Sequence, residues 1–203
     1  MGTETLKSQV YVTEPVRAVF PHLNEMDRFG SYSLDIDVLD GANASVRETI
    51  EAQCAEILAA GQAKFGVTTA PTNSIIRHGE YKDQPFSRLS FKMKGVKNVK
   101  GREVLVNPTL VDSAKNTIDD LIYGGSLVKV AYFCQFTLMN GTVYVSVKLR
   151  GVQVLELVGP GGEVPCTDAF GVEDGFTTSS DDEVEVHVPT ETTQVPVSTG
   201  ADF

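Results

Sequence analysis

Leu127-Val128-Lys129-Val130-Ala131-Tyr132-Phe133-Cys134-Gln135-Phe136-Thr137-Leu138 and the run from Thr142 to Val158 are two long stretches rich in β-branched and aromatic residues. Asn140-Gly141 joins them, and that dipeptide favours the positive φ angles of a tight hairpin turn. The two runs are therefore predicted to be paired antiparallel strands. Strict alternation groups Val128, Val130, Tyr132 and Cys134 on one face, and Lys129 is expected to join Phe133 on a common face only through a bulge.

Upstream of this hairpin, Val16 to Leu23 and Tyr32 to Leu39 read as strands. In the second, Leu34, Ile36 and Val38 alternate with Ser33, Asp35 and Asp37, the period of a strand with one core face and one wet face. Asn43 to Ala60 reads as a helix. Ser45 and Glu48 have capping-box spacing, Val46, Ile50, Cys54, Ile57 and Leu58 form one stripe, and Gly61 follows as a stop. Gly66 to Gln84 has no sustained period and is punctuated by Pro71, Asn73 and Gly79, so a long loop is expected. Strands resume at Phe86 to Lys94 and near Val104 to Val111. Five or six strands with one packed α-helix make the expected fold mainly β, a small antiparallel barrel.

The chain has 203 residues, 41% of them hydrophobic, and a formal net charge of -10. That is enough for one core over residues 1–158, with a tail over 159–203. No apolar run is long enough to span a membrane, and the first residues lack a secretory signal's apolar stretch, so a cytoplasmic protein is expected. All 17 Lys and Arg fall within residues 1–150 beside 16 of the 27 Asp and Glu, whereas residues 151–203 carry 11 acids and no base. A nearly neutral body with an acidic tail follows, and the body can carry a local basic surface. The tail opens at Gly159-Pro160-Gly161-Gly162, is rich in Thr, Ser and acids, and is predicted to be disordered. Cys54, Cys134 and Cys166 are an odd, widely spaced set, which reads as buried thiols and not as a disulfide framework or zinc motif.

Between Arg77 and Arg102 the chain holds eight bases, Arg77, Lys82, Arg88, Lys92, Lys94, Lys97, Lys100 and Arg102, against Glu80 and Asp83. Alternation puts Arg88, Ser90, Lys92 and Lys94 on one face of a strand and Leu89, Phe91 and Met93 on the other. A row of cations continued by a Lys97 to Arg102 turn can follow a phosphate backbone and release its counterions. Rings able to stack on bases are Tyr81, Tyr123, Tyr132, Phe133, Phe136 and Tyr144, and Lys129 adds a cation to the same hairpin. Asp35 and Asp37 could present two carboxylates to a metal, the one enzymatic option, although no His or further acid at fixed spacing completes such a site. No phosphate-cradling glycine loop and no nucleophile elbow is present.

Ile122-Tyr123-Gly124-Gly125-Ser126-Leu127-Val128-Lys129-Val130, then Val145-Ser146-Val147-Lys148-Leu149, Val154-Leu155-Glu156-Leu157 and the closing Ala201-Asp202-Phe203 together resemble the single-stranded DNA-binding proteins of short-tailed bacteriophages. Ala18-Val19-Phe20-Pro21-His22-Leu23 with Tyr32-Ser33-Leu34 resembles the opening strands of related phage proteins. The resemblance implies an oligonucleotide-binding (OB) barrel, binding of single strands without sequence preference, and roles in replication, recombination and strand annealing. It further implies a tail that contacts the phage DNA polymerase and helicase-primase in the host cytoplasm. By position it assigns Phe91, Lys92 and Lys94 to DNA contact, and Asp202 and Phe203 to partner docking. Where family members carry Tyr and Trp after the Gly-Gly-Ser strand, this chain reads Phe136-Thr137-Leu138-Met139, so Tyr132, Phe133 and Phe136 stand in for them. The reading implies no catalytic residue, metal or cofactor, and a homodimer stays open. The alternatives are a metal-dependent nuclease or recombination enzyme built on Asp35 and Asp37, and a structural phage protein whose basic ribbon lines packaged DNA.

Overall fold

Asn140 and Gly141 adopt φ of 51° and 79°, and the hairpin they close is the longest pairing in the molecule. In the computed structural model, which describes residues 2–160, it is built into a mainly β fold. The strands before the helix are β1 (Thr3–Lys7), β2 (Tyr11–Val12), β3 (Val16–Arg17), β4 (Val19–His22) and β5 (Ser31–Asp37). The helix α1 (Ala44–Phe65) follows. After it come β6 (Ile76–Tyr81), β7 (Gln84–Lys94), β8 (Val96–Val99), β9 (Arg102–Leu105), β10 (Thr109–Val111), β11 (Leu127–Met139) and β12 (Thr142–Glu156).

The main sheet runs β1-β11-β12-β7-β5-β4, with β2 and β3 added to β11, β10 to β12 and β6 to β7. Its curl comes from residues 16–22. Val16 and Arg17 pair with β11, whereas Val19 and His22 pair with β5, so one segment changes partner across Ala18 and draws the two ends of the sheet together. Most pairings are antiparallel, but β12 pairs parallel with β7 at Lys148↔Lys92 and with β10 at Thr109↔Gly151. A strongly curled mainly antiparallel sheet with one helix packed on it is OB-like, the architecture expected from the strand pattern.

The core sits between the inner face of this sheet and α1. Val46, Ile50, Cys54 and Ile57 of the helix are buried with Phe91, Tyr132, Cys134 and Phe136 of the sheet, each worth about 1.5–3 kcal/mol for the larger side chains. The helix runs past the expected end at Ala60 to Phe65, and Gly66 in the left-handed conformation ends it with its N–H on the Gln62 carbonyl. Gly61 is therefore not a stop. A Cβ there would lie 2.3 Å from the Phe136 ring, so its missing side chain lets helix and sheet meet. The capping box does not form either. Asn43 precedes the first turn with φ of 52° and donates from Nδ2 to the Asp37 carbonyl, anchoring the helix to β5. Cys54 and Cys134 are free and buried, with sulfurs 3.5 Å apart.

Several strands depart from expectation. Thr3–Lys7 is a strand on β11, and the expected long loop contains β6, paired with β7 from Ile76↔Leu89 to Tyr81↔Gln84. β5 is flanked by β7 and β4, so its outer face is not wet: Ser31, Ser33 and Asp35 are buried. The Val104 to Val111 run divides into β9, which makes a separate hairpin with β8, and β10. The expected acidic tail beyond Pro160, with Asp202 and Phe203, and Cys166 lie outside the described residues.

Candidate nucleic-acid interface

Outward-facing positions of five strands converge on one groove of about 410 Å³. From β1 comes Lys7, from β7 Lys92 and Lys94, from β8 Lys97, and from β12 Lys148 and Arg150. β11 contributes Phe133 and Gln135. Among the described residues lining the groove, six are cationic and none is acidic. The strand period explains the convergence. Lys92 and Lys94 alternate with buried Phe91 and Met93, and Phe133 alternates with buried Tyr132 and Cys134.

Register then brings the charged positions side by side. Phe133 lies opposite Lys148 across β11 and β12, Lys148 lies beside Lys92 across β12 and β7, and Lys7 lies opposite Gln135. Lys129, Ala131, Phe133 and Gln135 share the outer face of β11 by simple alternation. No bulge in β11 is needed for Lys129 to join Phe133; an extra residue lies instead on β12, where Arg150 is skipped between the Tyr132↔Leu149 and Ala131↔Gly151 pairs. Lys148 and Arg150, two residues apart on one face of β12, are both presented to the groove.

Phe133 is half-buried at the groove floor, with Lys7 Nζ 5.6 Å and Arg150 Cζ 5.9 Å from its ring centroid. Burial, then the nearby Lys94 and Lys92 charges, hold the Lys148 ammonium below its ordinary pKa. Cations crowded without counter-charges make the groove a site for an anion, and a half-exposed ring between two of them offers a face to an aromatic base. The groove shares Val10, Met93, Lys97 and Arg150 with a second furrow between the β8–β9 hairpin and β12. That furrow shares Thr109, Ala131 and Gly151 with a third, which carries Lys115 and Lys129. A cationic track thus crosses the outer sheet from Lys94 to Lys129.

The sequence-derived candidates fall into four groups. Lys92, Lys94 and Lys97 line the groove, and Lys129 lines the continuation. Lys100 and Arg102 stand at the exposed tip of the β8–β9 hairpin, where Lys100 and Gly101 adopt φ of 52° and 81°. Arg77, Lys82 and Arg88 are at the far end of β7 and β6, outside the groove. Phe91 and Tyr132 correct the expectation. Both rings are core, at 0% and 1% exposure, and touch edge to face at 5.4 Å, so neither can present a face to a base. The Tyr132 hydroxyl donates to Gln53 Oε1 at 2.7 Å, and Phe136 stacks on Phe65 in the core. Of the three substitute rings in this strand, only Phe133 faces outward.

Lys7, Lys148 and Arg150 were outside the expected contact set. The alternation Val145-Ser146-Val147-Lys148-Leu149-Arg150 carried the signal for two of them, since Lys148 and Arg150 fall on the face opposite the valines. The carboxylates of the enzymatic option are engaged. Asp35 accepts from Arg77 at 2.8 Å and from Ser90 Oγ at 2.6 Å, and Asp37 accepts the Leu39 N–H. Among the described residues, no group of three or more His, Cys, Asp or Glu is placed to hold a metal.

No family model and no curated protein sequence matches the chain. Solved structures do. The chain is similar to gp2.5, a single-stranded DNA-binding protein of bacteriophage T7, with TM-score 0.56 and 20% identity over 84% of this chain and 99% of that one. It is also similar to the single-stranded DNA-binding protein of bacteriophage Enc34. The C-terminally truncated form gives TM-score 0.53 and 16% identity over 76% of this chain and 88% of that one. The same protein in complex with single-stranded DNA gives TM-score 0.53 and 14% identity over 75% and 89%. At these identities the likeness is one of fold.

Proposed function

We propose that this chain is a phage single-stranded DNA-binding protein without sequence preference, with the Lys7–Lys92–Lys94–Lys97–Lys148–Arg150 groove as its site. The observation that carries the reading is the groove's composition among the described residues: six cations, no acid, and Phe133 on its floor. Phosphates meet the cations and release counterions, while an unstacked base lies on the Phe133 ring. Duplex DNA keeps its bases stacked inside and can use only the charges, so the ring is what favours single strands. Phosphate contact and stacking on a ring face do not depend on base identity, since every base has a π-face, which fits binding that tolerates any sequence.

The fold shared with the phage proteins named above supports the same reading. It extends to a non-enzymatic role in phage DNA replication, recombination and annealing in the host cytoplasm, and to recruitment of the polymerase and helicase-primase through Asp202 and Phe203. The deciding experiment is a salt titration of binding to single-stranded and duplex oligonucleotides of equal length. Tighter binding of the single strand that persists at high salt supports the assignment; equal affinities with equal salt slopes overturn it in favour of generic charge attraction.

A further inference from the structure

The outer face of β7 does not end at Lys92. It continues through Ser90 and Arg88 to Phe86, eight residues and about 26 Å from Lys94 at the usual strand rise. At that far end the side chains form a ladder. The Phe86 ring lies over Gly79 of β6, so closely that a Cβ there would be 2.5 Å from Cζ. The Arg88 guanidinium sits 4.4 Å from the Phe86 centroid and 4.7 Å from that of Phe20. Tyr81 meets Phe20 edge to face at 6.3 Å, with Lys82 Nζ 5.4 Å from the Tyr81 ring. Phe20 and Tyr81 are 53% and 54% exposed, far more than a ring held for packing alone.

Two further features set this ladder apart from incidental surface. Phe20 adopts φ of 44° at an irregularity in the β4–β5 register, a left-handed backbone that a bulky side chain rarely takes. It aims the ring at Arg88. Arg88 has no ion-pair partner among the described residues, and its Nε is buried without a hydrogen bond. Asp35 holds Arg77; Asp37, opposite Arg88 across β5 and β7, accepts the Leu39 N–H and makes no ion pair with Arg88; Glu80 faces away on the other side of β6, and Asp83 lies in the turn beside Lys82.

We infer that the Phe20–Arg88–Phe86–Tyr81 ladder is a second base-stacking subsite for the same nucleic-acid strand, reached from the groove along the outer face of β7. This rests on the single-strand reading of the groove. A guanidinium clamped between rings is a planar, pre-ordered cation, and the exposed faces of Phe20 and Tyr81 beside it suit an unstacked base whose phosphates follow Arg88, Lys92 and Lys94. A strand short enough to fill the groove alone never touches the ladder.

The test compares oligothymidylates of about 3 nucleotides, too short to span the distance from Lys94 to Phe86, and about 16 nucleotides, near the upper limit of the site sizes of such folds, on the full chain and on Phe20→Ala/Tyr81→Ala. Both rings are exposed, and a thermal melt checks that the variant is folded. The variant should lose about tenfold in affinity for the long strand and nothing for the short one. Arg88→Lys, which keeps the charge but not the plane, should weaken the long strand alone. Unchanged affinity for the long strand refutes the subsite and leaves the ladder as a surface for some other partner. An equal loss for both lengths refutes it as well, because the damage is then general. Failure of the unmodified chain to bind either strand removes the groove reading and the subsite with it.

Discussion

Lys148 is a position where stability and binding should pull in opposite directions. Its ammonium lies in the groove beside Lys92, the partner in the β12–β7 register, and its pKa is lowered first by burial and then by Lys94 and Lys92. A lysine whose pKa is lower in the folded state costs stability while charged. That cost fades as pH rises through the folded-state value towards the unfolded one near 10.5, because the unfolded chain then binds more protons. Lys148→Met keeps the length and apolar stem and removes the charge. Relief of like-charge crowding between neighbouring strands is worth about 0.2–1 kcal/mol, hence about 0.5–4 °C in Tm at this domain size. The gain should be largest at neutral pH and shrink as the pH approaches the alkaline range where Lys148 itself discharges. Binding should move the other way. One lost phosphate contact lowers the single-strand salt slope by about 0.7, so the affinity deficit should be about threefold larger at about 50 mM salt than at about 200 mM. Thermal melts across pH, with fluorescence anisotropy on labelled oligothymidylate at both salts, read both quantities. A fall in Tm at neutral pH, or an unchanged salt slope, refutes the argument that this lysine is held in the groove at a cost for the sake of an anion.

Phe133→Ala should cost about 1–3 kcal/mol in single-strand binding with little change in Tm, read by titration and by melting. Phe91→Ala should do the reverse, losing about 3–5 kcal/mol of stability in denaturant unfolding, because the ring is fully buried against Tyr132. Tyr132→Phe removes only the hydroxyl bonded to Gln53 and should cost about 0.5–1.5 kcal/mol of stability while leaving DNA affinity intact. Gly61→Ala should destabilise by about 1–3 kcal/mol despite the better helix propensity of alanine, since the added methyl meets the Phe136 ring; a rise in Tm would show that helix and sheet can separate without loss.

The core half of the molecule was legible because it repeats locally. Residues at every second position of β11, β12 and β7 are apolar, Asn140-Gly141 is an unambiguous turn, and the α1 stripe recurs at helical spacing, so each element announces itself within a dozen residues. β6 was invisible for the same reason inverted. Only Ile76 of its six residues is buried, and its turn is Lys82-Asp83, with both residues at positive φ and no glycine to signal it. Local pattern also singled out Lys92, Lys94 and Lys97 as a cationic ribbon and placed Phe91 on the face opposite it. What it could not decide was which rings are accessible. Tyr132 and Phe133 are adjacent in sequence and chemically alike, yet one is core and the other faces the groove, and the choice depends on which side of β11 the helix covers. Lys7, Lys148 and Arg150 join Lys92 only because β1, β11, β12 and β7 are neighbours in that order, with a bulge at Arg150. Sequence periodicity determines which face of each strand is apolar, because that depends on adjacent residues alone. The groove is a property of register between strands that include pairs far apart in the chain, Lys92 with Lys148 and Lys7 with Gln135, and only the folded sheet sets that register.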